Sequence, residues 1–184
     1  ENPGANIIFD VKSSQHLAQM ISQYGGNPVM CKSGHSYVKQ QMQATDALLG
    51  GEYSAHIFFK HRWFGFDDGM YSAARFLELM DKNNRSADEL LAACPQTFST
   101  PELTISVSDD EKFPIMNILL EQLTIPDARI SRLDGVRAEM EHAWGLVRAS
   151  NTTPNLTLRF EADSREALEH IQALFMTAIS RLLP

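Results

Sequence analysis

The residues best suited to chemistry lie near the C-terminal end, in the segment Gly145–Pro154. Five side chains that can donate hydrogen bonds fall within six positions: Arg148, Ser150, Asn151, Thr152 and Thr153. No Asp or Glu occurs from His142 to Phe160. A guanidinium fork matches two phosphate oxygens, and successive loop amides form a concavity that binds anions. The segment predicts a phosphate site. The alternative is a plain connection between strands, because these residues also favour turns.

A second cluster of polar side chains lies in Gly51-Glu-Tyr-Ser-Ala-His56. Glu52, Ser54 and His56 alternate, so an extended segment would place them on one face. A carboxylate beside a hydroxyl and an imidazole suits the hydroxyls of a sugar; a polar turn is the alternative. Lys12 and His35 each follow a predicted strand, where ligands of open α/β sheets bind. Both are therefore candidate contacts to an anionic ligand; the alternative for Lys12 is a solvated side chain.

Composition limits the class of protein. The chain has 184 residues, of which 43% are apolar and 21% charged, which is typical of a globular protein with a core. Its net charge of −7, without a basic stripe, disfavours nucleic acid as a partner. Cys31 and Cys94 are too few and too far apart for a disulfide framework, so we expect reduced thiols in a cytoplasmic protein.

The length of the apolar runs and the start of the chain lead to two further expectations. No run approaches the ~20 apolar residues of a membrane span, so no membrane is expected as a partner. The chain starts without an initiator Met and without a signal peptide, and enters a predicted strand at once. We expect it to be part of something longer.

Apolar periodicity predicts an α/β arrangement in the first part. A strand at 7–11, a helix capped by Ser13 or Ser14, and a strand at 28–31 favour a parallel pair with a crossover helix. Further predicted elements are helices at 36–45, 69–80 and 86–93 and strands at 47–51 and 55–59. Pro95 and Pro101 bracket a polar segment, which predicts domains at 1–95 and 96–184.

The second part has the pattern of an α+β domain, with an antiparallel sheet and helices on one side. Strands are predicted at 103–107, 130–133, 136–140, 144–147 and 156–162, with the polar residues 148–154 as a loop. Asp134-Gly135 is typical of a hairpin turn. Helices are predicted at 109–123 and from Ser164 onward.

No residue pattern predicts a catalyst. No Ser, Cys or carboxylate pair reads as a nucleophile with its base. The remaining histidines have no metal-ligand spacing, and Asp67-Asp68 more simply caps the following helix. The sequence therefore predicts two binding loops, without catalytic residues and without metal ligands in this chain.

Together, the two loops resemble those of bacterial phosphomannomutase/phosphoglucomutase, of the α-D-phosphohexomutase superfamily. Gly51–His56 is similar to the family's G-E-x-S-G-H sugar loop, and Arg148–Pro154 is similar to its phosphate loop. Arg62–Gly69 and Leu133–Arg137 also resemble family segments. The likeness runs from end to end and covers the third and fourth domains of the family.

The resemblance implies a fold and an activity. The fold would be a βαβ-containing mixed-sheet sandwich (domain 3) followed by a C-terminal domain that resembles the TATA-binding protein. The complete protein would be an isomerase of carbohydrate metabolism and a phosphoprotein. It would interconvert mannose or glucose 1-phosphate and 6-phosphate through a 1,6-bisphosphate, with Mg²⁺ as its metal.

The resemblance also implies residue roles. Glu52, Ser54, His56, His35 and Lys12 would bind the sugar; Arg148, Ser150, Asn151, Thr152 and Thr153 would bind the phosphate. The phosphoserine and the Mg²⁺ loop would belong to missing N-terminal domains, so this chain alone is expected to be inactive. A phosphoglucosamine mutase and a non-catalytic sugar-phosphate sensor remain as alternatives. Ala55 departs from the family's Gly, and would be strained only if that position has φ > 0.

Overall fold

The structure is a computed structural model that describes residues 2–151 and 153–182. The chain divides into two compact units, residues 1–96 and 97–184. None of the helices in the described ranges is long and apolar enough to cross a membrane.

The first unit is a four-stranded mixed sheet in the order β2-β1-β3-β4. β1 pairs in parallel with β2 and β3, and β4 returns antiparallel to β3. The carboxyl ends of β1, β2 and β3 therefore share one edge, which is where the predicted sugar-binding residues follow. The elements are β1 Asn6–Asp10, α1 Gln15–Gln23, β2 Asn27–Cys31, α2 His35–Thr45, β3 Leu49–Gly51, β4 Ile57–Phe59, α3 Gly69–Asn83 and α4 Ala87–Leu91.

Capping residues set the starts of α1 and α4, and a close contact with the backbone of β3 positions α2. Ser14, rather than Ser13, caps α1, since its side chain accepts from the His16 amide. Ser86 begins α4 with a reciprocal capping box, as the sequence predicts. A Cβ added at Gly50 would lie 2.8 Å from Val38 Cγ1, so α2 packs directly on the backbone of β3.

The second unit is an antiparallel sheet in the order β5-β10-β9-β8-β7, with β6 also pairing β10. Its core includes Leu119, Val147, Phe160 and Phe175, and α6 packs against β9 and β10. The elements are β5 Phe98–Ser99, β6 Leu103–Ser106, α5 Asp109–Gln122, β7 Arg129–Ser131, β8 Val136–Glu139, β9 Ala143–Ala149, β10 Asn155–Ala162 and α6 Arg165–Leu182.

Two features of this unit differ from the sequence prediction. The two-residue strand β5 was missed, because it carries no periodicity and exists only through pairing with the end of β10. The predicted loop 148–154 is shorter, because β9 runs to Ala149 and Arg148 pairs with Thr157 in the sheet. Arg148 therefore belongs to a strand, and the loop proper starts at Ser150.

The packing of α6 generates a stability prediction. The Phe175 ring is fully buried and meets the Phe160 ring edge-on, with 5.3 Å between centroids. Phe175→Ala leaves a cavity, so we expect it to lower the free energy of unfolding by about 3–5 kcal/mol. Urea unfolding followed by Trp144 fluorescence in a Trp63→Phe background measures this loss.

The neighbouring Met176 provides the control for this substitution. Its residue is 42% exposed, so Met176→Ala should change stability by no more than about 0.5 kcal/mol. Equal losses in the two variants would contradict the assignment of α6 to the core.

Candidate functional site

A buried carboxylate ties together the loops at the edge of the first sheet. Asp10, at the end of β1, is fully buried. Its Oδ1 accepts from Ser13 Oγ (2.8 Å) and from the Tyr53 amide (3.1 Å), and its Oδ2 accepts from Ser33 Oγ (2.9 Å). The loops after β1, β2 and β3 thus converge on one side chain. Sequence reasoning missed Asp10, although an acid that ends a buried strand could have marked it.

The carboxylate of Glu52, which follows β3, lies against the N-terminus of α2. Its side chain is 4% exposed, and its Oε1 accepts from the Gly34 amide at 2.6 Å. Gly34 is the N-cap of α2 and supplies no side-chain cap, so the carboxylate takes that place and meets the positive end of the helix dipole. Its Oε2 is buried and has no hydrogen-bond partner among the described residues. One oxygen is anchored and the other is available to a ligand.

Two histidines converge on Asp67. Its Oδ2 lies 2.8 Å from His56 Nδ1 and 3.5 Å from His35 Nε2, while its Oδ1 accepts from the Ile57 amide at 3.1 Å. The two imidazole rings stand edge to face, 4.2 Å apart. The sequence assigned Asp67 and Asp68 together to a helix cap. Asp68 does cap α3, through the Tyr71 amide, but Asp67 belongs to the histidine cluster.

The segment that carries Asp67, residues 62–68, is held against α3 by side-chain contacts. The terminal nitrogens of Arg62 donate to both oxygens of Glu78, at 3.0 and 2.6 Å. The hydrogen bond from Arg62, followed by that from Lys82, lowers the pKa of Glu78 to about 2. Trp63 stacks on Tyr71 with 4.4 Å between ring centroids. A charged pair and a stacked pair therefore hold this segment in place.

The predicted sugar-loop residues do not adopt the extended geometry considered from the sequence. Glu52–His56 is a turn, since the Glu52 amide donates to the His56 carbonyl and the Ala55 amide to the Glu52 carbonyl. The alternation argument is therefore wrong, because it assumed an extended segment. The structure brings Glu52 and His56 to His35, whereas Ser54 lies exposed in the turn. Lys12 Nζ lies 5.9 Å from the Tyr53 ring centroid.

The second unit holds Arg148 against an acid. Arg148 is 6% exposed, and its Nε donates to Asp134 Oδ2 at 3.0 Å. The turn that carries Asp134 lies directly on β9: a Cβ added at Gly135, where φ is +81°, would be 2.2 Å from the Val147 carbonyl oxygen. Only glycine allows this approach, and the approach brings Asp134 to Arg148. The sequence identified the turn but missed this role of Asp134.

The loop that follows β9 is closed by its own hydroxyls. Ser150 is 8% exposed, and its Oγ accepts from the Thr153 amide (3.2 Å) and from Thr153 Oγ1 (2.8 Å). Asn151 and Thr153 are exposed, and Thr152 lies outside the described residues. The loop thus has a built shape, with exposed polar groups at its tip.

A second cation lies beside this loop. Lys112 of α5 is 6% exposed, and its Nζ donates to the Thr153 carbonyl at 3.0 Å. Its only acidic neighbour in the described ion pairs is Asp109, at 3.4 Å. Sequence reasoning missed Lys112, because no pattern connects it with a loop about forty residues later.

Comparison with known families decides the identity of these two units. Residues 1–98 match the model described as phosphoglucomutase/phosphomannomutase, alpha/beta/alpha domain III. Residues 103–178 match the C-terminal domain of the same family. The chain belongs to the phosphoglucomutase/phosphomannomutase family. It comprises the family's third and fourth domains, as the resemblance of its loops implies.

Individual relatives agree with this assignment. A phosphomannomutase/phosphoglucomutase of Pseudomonas aeruginosa is 52% identical over the whole chain. A family protein of Burkholderia thailandensis has a crystal structure that matches all of it with a TM-score of 0.91 at 42% identity. An Aspergillus fumigatus N-acetylphosphoglucosamine mutase, crystallised with GlcNAc-6P and magnesium, shares the fold at 11% identity and a TM-score of 0.68. The chain spans about two fifths of the length of these relatives.

The turn at the sugar loop generates a prediction about Ala55. Its φ is 66°, in the left-handed region, where a side chain costs about 1–2 kcal/mol. Glycine has no such cost but gains freedom in the unfolded chain, worth about 0.5–1 kcal/mol. We expect Ala55→Gly to raise the free energy of unfolding by up to about 1 kcal/mol, measured by urea unfolding with circular dichroism.

Ala73 offers a matched control for this exchange. It is exposed in the interior of α3, so the same substitution there should destabilise by about 1 kcal/mol. The prediction fails if both variants lose stability by the same amount.

Proposed function

We propose that this chain is the substrate-recognition half of a phosphohexomutase that interconverts hexose 1-phosphate and hexose 6-phosphate. The main support for this proposal is the Glu52 carboxylate. It lies in the unit that matches domain III of the family, and its Oε2 is buried without a hydrogen-bond partner among the described residues. A buried acceptor without a partner costs about 1–3 kcal/mol, and the hydroxyls of a hexose are donors that can satisfy it. Glu52 Oε2 then accepts hydrogen bonds from vicinal sugar hydroxyls, while Oε1 continues to accept from the Gly34 amide.

The neighbouring groups complete the proposed sugar site. His35 Nε2 lies 4.0 Å from Glu52 Oε2, so one hydroxyl can contact both side chains. His56, held by Asp67, offers its other ring nitrogen to the sugar. Lys12 and the exposed Ser54 are proposed as further contacts from the adjacent loop and turn.

Arg148 is the proposed anchor of the phosphate that is not being transferred. Its Nε–H is engaged by Asp134, and four of its five N–H donors are on the terminal nitrogens. Fixing one edge of the guanidinium reduces the entropy lost when the other edge binds two phosphate oxygens. Ser150, Asn151, Thr152 and Thr153 are proposed to add hydroxyl and amide donors. Lys112 adds positive charge beside them.

This arrangement suits a mutase because the same substrate must react at either end. A phosphate site away from the chemistry holds whichever phosphoryl group is the spectator, and the sugar site accepts the ring in two orientations. Binding energy from that remote group can then position the reacting end. The transferring phosphoserine is proposed to lie in the preceding domains, so this chain alone performs no transfer.

The metal of the complete enzyme is proposed to lie in those domains as well. Mg²⁺ requires oxygen ligands in octahedral geometry, and the single cluster of potential ligands within the described ranges contains two imidazoles. The described residues therefore do not fit Mg²⁺. The magnesium bound to the Aspergillus mutase supports Mg²⁺ for the complete protein. A hexose 1,6-bisphosphate is proposed as the intermediate and activator.

Calorimetry with glucose 1,6-bisphosphate tests the phosphate site. We expect Arg148→Ala to weaken binding to the 184-residue chain by about 1.5–3 kcal/mol, the contribution of a charge-assisted hydrogen bond. Arg181→Ala removes the same charge from the last turn of α6 and should leave the affinity unchanged. Circular dichroism checks that both variants fold. An unchanged affinity in Arg148→Ala would show that the loop is only a turn.

A fusion tests the activity. We expect the chain, joined to the N-terminal remainder of the Pseudomonas aeruginosa relative, to convert mannose 1-phosphate to mannose 6-phosphate, and the unfused chain to convert none. The reason is that the fusion supplies the proposed phosphoserine. Phosphate-ester migration followed by ³¹P NMR measures the conversion, with the intact relative as reference.

The same fusion separates the alternatives. Conversion of glucosamine phosphates in place of mannose and glucose phosphates would assign the chain to a phosphoglucosamine mutase. A folded fusion that binds sugar phosphates and converts none of them would contradict the mutase and favour a sensor.

A further inference from the structure

The histidine cluster has a geometry that the proposed sugar site does not require. His35 Nε2, His56 Nδ1 and a carboxylate oxygen of Asp67 all lie within 4.8 Å of one another. Within the described ranges this is the one group of three or more His, Cys, Asp or Glu side chains so arranged. The three residues come from different segments, so no sequence motif contains them.

The spacing of these atoms fits a tetrahedral ion. Zn²⁺ binds His nitrogen and carboxylate oxygen at about 2.0–2.2 Å, so two of its ligand atoms lie about 3.3 Å apart. Asp67 Oδ2 lies 3.5 Å from His35 Nε2 and 2.8 Å from His56 Nδ1. Both distances lie within about 0.5 Å of the tetrahedral edge. The side chains of His35, His56 and Asp67 are 48%, 44% and 29% exposed, so an ion can reach them from solvent.

Glu52 supplies an independent observation. Its side chain is 4% exposed, and Oε2 has no hydrogen-bond partner among the described residues. This oxygen lies 4.0 Å from His35 Nε2. Glu52 is not among the residues whose ligand atoms all lie within 4.8 Å of one another, so this oxygen lies beside the cluster and adds negative charge next to it.

The supporting hydrogen bonds have the form that metal sites use. Asp67 Oδ1 accepts from the Ile57 amide, and Glu52 Oε1 accepts from the Gly34 amide. Asp67 thus has one oxygen fixed by the backbone and keeps the other for the cluster, and Glu52 beside it is likewise fixed through one oxygen. Such hydrogen bonds orient ligands and strengthen metal binding. Because the amides belong to β4 and to the cap of α2, the orientation does not depend on a ligand.

We propose that His35, His56 and Asp67 form a binding site for a divalent transition-metal ion, best fitted by Zn²⁺, with Glu52 beside it. Two imidazoles and a carboxylate suit Zn²⁺ better than Mg²⁺ or Ca²⁺. Binding replaces the hydrogen bond between His56 and Asp67. The ion occupies the position proposed for the sugar hydroxyls and therefore excludes the sugar.

Titration with Zn²⁺ alone tests the site. We expect the metal-stripped 184-residue chain to bind one equivalent by calorimetry, and Co²⁺ to give the intense visible absorption of a tetrahedral site. His35→Gln and His56→Gln should each weaken Zn²⁺ by more than about tenfold, since even groups next to a ligand contribute that much. His16→Gln removes an imidazole of the same unit outside the cluster and should leave the affinity unchanged.

Two results would overturn the proposal: no stoichiometric Zn²⁺ binding by the folded wild-type chain, or the same affinity in His35→Gln, His56→Gln and His16→Gln. Circular dichroism confirms that each variant is folded, so a loss of affinity is not a loss of structure. The experiment uses no sugar phosphate. Its failure would therefore leave the proposed mutase function untouched, and failure of the mutase test would leave the metal site standing.

Discussion

The buried charged side chains of the two candidate half-sites are each held by a partner, and that constraint shapes both half-sites. Asp10 is fully buried because two hydroxyls and an amide donate to it. Glu52 is buried because the N-terminus of α2 faces it. Arg148 is buried because Asp134 meets its Nε. In each case the group that neutralises the charge also sets its direction.

Glycines make these pairings possible through backbone approach. Gly135 lets the β7–β8 turn lie against β9, where a methyl group would collide with the Val147 carbonyl. Gly50 lets α2 approach β3, and the position of α2 decides where its N-terminus meets Glu52. The electrostatic pairs therefore depend on packing. A substitution that moved either element would also move a charge.

Membership in the phosphoglucomutase/phosphomannomutase family gives these two half-sites a common purpose in the proposed function. The proposed sugar contacts lie in the domain III unit and the proposed phosphate contacts in the C-terminal unit, and the matched relatives are more than twice as long. Such a division would suit a substrate that reacts at both ends. The proposed Zn²⁺ site adds that side chains proposed to bind a sugar also resemble a metal site, because both ligands need converging lone pairs.

The sequence by itself determined the local features. Ser86 was identified as a helix start and Ser13 or Ser14 as another, the Asp134-Gly135 turn was identified as a hairpin, and the two loops were enough to name the family. Each depends on residues only a few positions apart, where backbone propensities act. Only the tertiary structure decided that Asp67 joins the histidines, that Arg148 lies in a strand, and that Glu52–His56 is a turn. Lys112 and Asp10 likewise gained their roles from contacts with distant segments. Sheet register and helix packing set those contacts. A contact between distant segments produces no periodic pattern in the residues that make it, so the sequence alone does not reveal it.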